Sequence, residues 1–127
     1  MLGAAMYREH LLDHYKNPRN KGTIKNPDII YMDDNPLCGD EIEITAKLNG
    51  KKIKEIRFNG KGCAISQASA SMLTETLEGK SLDEVKKFGT DDIVKMLGIE
   101  LSPIRVKCAV LSLKILQAGI EIYKRSK

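Results

Sequence analysis

The stretch EIEITAKLNGKKIKEIRF, residues 41–58, carries the clearest structural signal in the sequence. Its first half alternates apolar and polar residues, which predicts a strand with one buried face over 41–48. Asn49-Gly50 follows, and this dipeptide is typical of a type I′ hairpin turn because it accepts positive φ at both positions. The partner strand is expected over 51–58, with Ile53 out of step, which predicts a β-bulge.

Helical patterns lie on both sides of this hairpin. Asn17-Pro18 ends the first, and Ser102-Pro103 is an N-cap and N1 pair that begins the last. Helices are predicted over 4–16, 64–77, a short stretch capped by Ser81 and Glu84, 90 to near Gly98, and 103 to about Tyr123. With a further short strand at 28–33, the sequence predicts one α+β domain.

Two of these helices have an apolar side that predicts their buried face. In the first helix it comprises Met6, Leu11, Leu12 and Tyr15. In the last it comprises Ile104, Cys108, Leu111, Ile115, Ala118 and Ile122.

The length of 127 residues suits a single domain over 1–127, whose first five residues we leave open as a native leader or a cloning scar. Apolar residues make up 42% of the chain, but no run approaches the ~20 residues of a membrane span. Charged residues interrupt the N-terminus before a signal-type segment forms. We therefore expect a cytoplasmic protein that does not bind membranes.

The net charge of +4 is spread evenly, with +2 in each half of the chain. Nucleic-acid binders concentrate positive charge and add aromatic residues for stacking. This chain has no Trp, and its densest basic stretch, over 47–61, fits the exposed face of the hairpin. We expect no nucleic-acid partner.

Three cysteines cannot form a closed set of intrachain disulfides, which favours a reducing compartment. Cys38, Cys63 and Cys108 lie 25 and 45 residues apart, without the close pairs of zinc ribbons, thioredoxin-type or ferredoxin-type motifs. Cys38 and Cys63 lie in glycine-bearing loops, where core packing is unusual. Cys108 lies on an apolar stripe, so core packing and a functional role are equally compatible with its position.

Asp40, two residues after Cys38, is the fourth candidate. Three thiolates and one carboxylate form a four-ligand set of the size that a [2Fe–2S] cluster or a tetrahedral zinc ion requires. Oxygen is harder than sulphur and suits such a cluster less well, so this set predicts a cluster that is easily released. The amides that begin the helix after Cys63 would stabilise a thiolate there.

The sequence resembles the U-type iron–sulphur scaffold family, which comprises IscU, SufU and the N-terminal part of NifU. The resemblance runs from Tyr7 to the last helix. The segments that carry it are DHYKNPRN (13–20), NPLCGD (35–40), GCAISQASAS (62–71), GKSLDE (79–84) and RVKCA (105–109).

This resemblance implies a small three-stranded antiparallel sheet packed against about five helices. It also implies that Cys38, Asp40, Cys63 and Cys108 hold a [2Fe–2S] cluster built with sulphur from a cysteine desulphurase and passed to apo-proteins. Cys108 would be the persulphide acceptor, through attack of its thiolate on the donor's persulphide. A homodimer, with Tyr7 as one contact, stays open.

Two departures from the IscU pattern bear on this expectation. Lys107 stands where IscU-type members have a histidine before the last cysteine, and this lysine resembles SufU-type members. A lysine ammonium can modulate neighbouring thiolates but cannot ligate metal. Leu101-Ser102-Pro103-Ile104-Arg105 replaces the Leu-Pro-Pro-Val-Lys segment that docks a specialised chaperone, which puts dependence on that chaperone in doubt.

Three functions follow from these patterns. The first is a [2Fe–2S] assembly scaffold, which is not an enzyme. The second is a SufU-like, zinc-binding sulphurtransferase in which Cys38 accepts the persulphide and Zn²⁺ replaces the cluster. The third is a small interaction domain with incidental cysteines.

Overall fold

This computed structural model describes residues 3–36 and 39–126, which contain three strands and five helices. In chain order they are α1 (Ala4–Lys16), β1 (Ile29–Asn35), β2 (Asp40–Asn49), β3 (Lys52–Lys61), α2 (Ala64–Leu77), α3 (Leu82–Lys87), α4 (Thr90–Leu97) and α5 (Pro103–Arg125). The expected α+β fold with a three-stranded sheet is confirmed. None of the helices in this part of the chain combines the length and apolar character needed to cross a bilayer.

The sheet has the order β1-β2-β3 with both pairs antiparallel. A register shift between Lys47 and Leu48 confirms the predicted bulge in the hairpin. At the opposite end of the sheet, Asn35 pairs with Asp40 and Glu41 pairs with Lys61. The end of β1, the start of β2 and the end of β3 therefore meet at one end of the sheet.

The predicted type I′ turn is wrong. Asn49 pairs with Lys52, so Gly50 and Lys51 form the loop, and only Gly50 has a positive φ, of 65°. A glycine at the first loop position and a negative φ at the second are features of a type II′ turn. The core sets this register, because it pairs Ile56 and Phe58 with inward-facing residues of β2, and this packing overrides the local turn preference.

One face of the sheet is covered by α2 and α5, and the core lies between these layers. Helix α2 packs against both α1 and α5. Gly119 marks a close approach of α5 to β1, because a Cβ there would lie 2.8 Å from Cγ2 of Ile29. The hairpin and the two helices thereby fix each other's positions.

The predicted buried face of α1 is largely wrong. Leu11 is buried, but Met6, Leu12 and Tyr15 are about half exposed. The inward positions are Leu11 and His14, which lie one turn apart and face α2. The contact of His14 with Ser71 of α2 accompanies this orientation of α1. The pattern of apolar residues along α1 could not show it, because both groups are polar. Tyr7, on the same helix, packs its ring against Gly98 of its own chain.

The last helix begins as predicted, with Ser102 accepting a hydrogen bond from the N–H of Arg105. The apolar stripe is buried only in its middle, since Ile104 and Ile122 at its ends are exposed. Val110 and Leu113, outside the stripe, are also buried. The buried face is wider than the predicted one because both the sheet and α2 pack against α5.

Candidate metal centre

Asp40, Cys63 and Cys108 form one cluster, which we call the donor group. One ligand atom from each lies within 4.8 Å of the other two. Asp40 is the first residue of β2, Cys63 is the N-cap of α2 directly after β3, and Cys108 lies in the second turn of α5. The antiparallel pairing of β2 with β3 brings the first two together, and the packing of α5 on the sheet adds the third.

Asp40 is fully buried, and its two oxygens face different groups. Oδ1 accepts a hydrogen bond of 2.8 Å from the backbone N–H of Cys63, and Oδ2 lies 4.0 Å from Cys63 Sγ. The hydrogen bond fixes the carboxylate against the N-terminus of α2. One oxygen is thus held by the protein while the other is directed at a thiol.

Gly62 explains why the carboxylate can lie so close to the backbone. A Cβ at this position would run into Asp40 Oδ1 and lie 2.5 Å from Ser66 Oγ. Ser66 itself donates a hydrogen bond of 3.2 Å to the Cys63 carbonyl. The absence of a side chain at Gly62 therefore makes room for the carboxylate of Asp40.

Cys108 is fully buried on α5, and Nδ2 of Asn35 lies 3.9 Å from its Sγ. Burial alone fits core packing, one of the two alternatives that the sequence leaves open. The sulphur nevertheless belongs to the donor group, so the thiol is both buried and directed at other potential ligands.

Two of the predicted site residues, Cys38 and Lys107, are not members of the donor group as the structure describes it. Cys38 lies outside the described residues, which resume at Gly39. The backbone N–H of Gly39 donates a 2.8 Å hydrogen bond to the Asn35 carbonyl. The side chain of Lys107, next to Cys108, is exposed.

Comparison with known proteins identifies the family. The model of the NifU-like N-terminal domain matches residues 6–127. The chain belongs to this family. The resemblance carried by the five sequence segments is confirmed, and the donor group lies within the matched region.

Relatives within the NifU-like family carry two different descriptions. "Zinc-dependent sulfurtransferase SufU" of Bacillus subtilis is 39% identical, over 91% of this chain and 89% of its own length. "Iron-sulfur cluster assembly scaffold protein IscU" of Escherichia coli strain K12 is 38% identical, over 95% of this chain and 96% of its own. A crystal structure of an iron–sulphur cluster assembly scaffold protein for the SUF system, from Fervidobacterium islandicum, superposes with a TM-score of 0.77. It is 30% identical and covers 93% of this chain and 99% of that one.

The lengths of the two sequence alignments differ. The alignment with SufU extends over 132 positions, more than the 127 residues of this chain, so SufU has residues that face a gap here. The alignment with IscU extends over 125 positions and includes more of this chain. In length, this member of the NifU-like family therefore resembles the IscU sequence more closely.

The donor group has the chemistry and size of a single-ion site. Zinc binds thiolates at about 2.3 Å, so two thiolates on one tetrahedral ion lie roughly 3.8 Å apart. Donor atoms within 4.8 Å of one another need only small shifts to reach that spacing. Two thiolates and a carboxylate suit either zinc or iron, and a tetrahedral ion leaves room for a fourth ligand.

His14 is a buried residue that sequence reasoning missed, with only 1% of its surface exposed. Its Nδ1 lies 2.8 Å from Oγ of Ser71, which also accepts a 2.8 Å hydrogen bond from the backbone N–H of Arg19. Burial is the main cause that lowers the pKa of His14, and the positive charge of Arg19 adds to it. We call His14, Ser71 and the Arg19 amide the histidine clasp, which joins α1 to α2.

Asn35 is the second residue that sequence reasoning missed. It is the first residue of the NPLCGD segment, in which only Cys38 and Asp40 were predicted to have a role. Its side chain contacts Cys108, which is 73 residues away in sequence. Only tertiary structure brings the two together, so no local pattern could have identified this contact.

Proposed function

We propose that this chain is a scaffold on which a [2Fe–2S] cluster is assembled from iron and desulphurase-derived sulphur and then passed to apo-proteins. The observation that carries this proposal is the convergence of part-buried Cys63 with the buried Asp40 and Cys108, whose ligand atoms all lie within 4.8 Å of one another. Thiolates and carboxylates are donors that zinc and iron accept, and Cys63 Sγ lies 4.0 Å from Asp40 Oδ2. Iron is a cargo that would complete such an arrangement.

The fourth ligand in this proposal is Cys38. Two peptide units connect it to Asp40, which confines their Cα atoms to within about 7.6 Å of each other. Asp40 belongs to the donor group, so chain connectivity alone keeps Cys38 within reach of it. With Cys38 included, the set matches the ligands that the family resemblance implies.

Asp40 is the ligand we expect to open first. Its oxygen binds cluster iron less well than thiolate does, because oxygen is the harder donor. Its Oδ1 already accepts the Cys63 N–H, so only Oδ2 is directed at the site. An iron that loses this oxygen gains an open position, through which an acceptor protein could take the cluster.

Sulphur enters through a persulphide, for which Cys108 and Cys38 are the candidate acceptors. The acceptor thiolate attacks the outer sulphur of the desulphurase persulphide, a new S–S bond forms, and the desulphurase cysteine leaves as a thiolate. Cys108 is fully buried, so its use as acceptor requires the surrounding residues to move aside.

The alternative function is a zinc-binding sulphurtransferase, which would make the protein an enzyme. The compact spacing of the donor group favours it, because one tetrahedral ion fits this spacing, whereas two irons require two more widely separated ligand pairs. Lys107 before Cys108 also resembles SufU-type members. Here Zn²⁺ would be held by Asp40, Cys63 and Cys108, with Cys38 as persulphide acceptor.

The partners in this proposal are a cysteine desulphurase and apo iron–sulphur proteins, with a homodimer left open. The odd cysteine count favours a reducing compartment such as the cytoplasm. The segment in place of the chaperone-docking motif includes Ser102, which caps α5, and the exposed Ile104. We do not assign a chaperone to it.

Anaerobic purification, followed by an absorption spectrum and assays of iron, zinc and acid-labile sulphide, tests the proposal. Equal iron and sulphide, lost in Cys38→Ser, Cys63→Ser and Cys108→Ser, would support the scaffold. One zinc per chain and no uptake of iron and sulphide would support the sulphurtransferase. Ser112→Ala is the matched control, because this buried hydroxyl lies one turn after Cys108 and has no hydrogen-bond partner among the described residues.

A further inference from the structure

We infer that Asn35 is a positioning residue of the donor group, which connects the start of β2 at Asp40 to the Cys108 thiol on α5. This inference rests on the proposed function, because it concerns the same metal centre. Asn35 is the last residue of β1 and is 9% exposed. Its backbone and its side chain contact different parts of the site.

The backbone of Asn35 is tied to the start of β2. It pairs with Asp40 across β1 and β2, and its carbonyl accepts the N–H of Gly39 at 2.8 Å. Any displacement of Asn35 would therefore also displace Asp40.

The side chain of Asn35 reaches α5. Its amide Nδ2 lies 3.9 Å from Cys108 Sγ, within the range of a weak hydrogen bond to sulphur. A thiolate accepts such a bond more strongly than a thiol, because the acceptor is charged. Since both residues are buried, the contact is shielded from water and orients the sulphur toward Asp40 and Cys63.

Groups of this kind, which touch a metal ligand without touching the metal, orient the ligand and alter metal affinity by roughly 10- to 100-fold when removed. Asn35→Leu keeps the branched outline of the side chain, at a larger volume, and removes its N–H donors. Asn35→Ala removes the donors without adding apolar bulk at the end of the strand. Asn59→Leu is the matched control, because Asn59 is an exposed asparagine in the same sheet.

The experiment titrates each purified, metal-free protein with Co²⁺, followed by competition with Zn²⁺. We expect Asn35→Leu and Asn35→Ala to bind Co²⁺ at least 10-fold more weakly and to shift the thiolate-to-cobalt charge-transfer band. A purely structural role would lower the melting temperature without shifting that band. Asn59→Leu should match the native chain in both readouts.

Native affinity and an unshifted band in folded Asn35→Ala would overturn the inference while leaving the proposed function intact. Failure of Asn35→Leu to fold would leave Asn35→Ala to decide. A native chain that takes up neither Co²⁺ nor Zn²⁺ would instead overturn the proposed metal centre, and this inference with it. The two failures are therefore distinguishable.

Discussion

The histidine clasp and the donor group are both buried polar clusters, yet they are built in opposite ways. In the clasp, Ser71 Oγ lies 2.8 Å from both of its partners, His14 and the Arg19 amide. In the donor group, one contact is equally short, from the Cys63 N–H to Asp40. Two contacts to its sulphurs are longer, 3.9 Å from Asn35 Nδ2 to Cys108 Sγ and 4.0 Å from Cys63 Sγ to Asp40 Oδ2.

Burial has a different energetic effect in the two clusters. Buried polar groups contribute to stability when they are hydrogen-bonded, and the clasp meets that condition. Two thiols and a carboxylate are all acceptors once ionised, so they repel each other unless a cation lies between them. The clasp is hydrogen-bonded within the protein, whereas under the proposed function a bound cation would complete the donor group.

Gly62→Ala should have the largest effect, because it breaks the geometry of the donor group. The added methyl group would run into Asp40 Oδ1 and Ser66 Oγ, and such overpacking costs about 1–3 kcal/mol. We expect the free energy of unfolding to fall by that amount in urea titrations, together with weaker Zn²⁺ binding. Gly3→Ala, at a site with nothing within 4 Å, serves as the control. Unchanged Zn²⁺ affinity would show that Asp40 does not depend on this glycine.

Asp40→Ala should both slow the release of cargo and lower the stability of the fold. Without its oxygen ligand, the cluster loses its opening point, so we expect transfer to an apo-ferredoxin to slow severalfold. The Cys63 N–H also loses its acceptor, which should cost about 1–3 kcal/mol of stability. Asp34→Ala, an exposed carboxylate in β1, should change neither. Unaltered transfer kinetics would count against Asp40 as the release point.

Lowering the pH should weaken the histidine clasp. Burial lowers the pKa of His14 in the folded state, so the unfolded chain binds the proton more readily. The stability is present above the ordinary pKa of 6.5 and is lost as the pH falls through the lower folded value. Urea unfolding of the metal-free protein from pH 7.5 to 5 should show a slope of at most about 1.4 kcal/mol per pH unit from this group. His14→Gln should flatten that slope and exposed His10→Gln should not; equal slopes in all three proteins would contradict the assignment.

Lys107→His should have the smallest effect on metal binding. It tests whether the residue before Cys108 is a ligand or only a neighbour of one. The Lys107 side chain is exposed, so we expect less than a twofold change in Zn²⁺ affinity or cluster occupancy when it is replaced. A large gain in cluster occupancy would instead show that a missing ligand had limited the native chain. Exposed Lys114→His, on the same helix, controls for a change of charge alone.

Local patterns predicted most of the secondary structure because they record backbone requirements. The alternation over 41–48 placed β2, and the Ser102-Pro103 pair placed the start of α5, within a residue. The turn after Asn49 was wrong because register in the core, which depends on Ile56 and its partners, outweighs a dipeptide preference.

The sequence indicated Asp40 and Cys63 as site candidates but left Cys108 open between core packing and a functional role. It did not predict the surroundings of the donor group. The burial of His14 and the contact of Asn35 with Cys108 connect residues 57 and 73 positions away from their partners. Such contacts depend on helix docking, which the sequence of one chain does not specify.

The wide spacing of the donor group along the chain has a mechanical consequence. Asp40, Cys63 and Cys108 belong to a strand and two helices, so an ion held among them would act as a cross-link between distant segments. A ligand that binds only the folded state stabilises it by about 2.7 kcal/mol when present at 100 times its dissociation constant. A chain that holds an ion would therefore resist proteolysis better than an empty chain. A protein that binds it next could distinguish the two forms by their difference in flexibility.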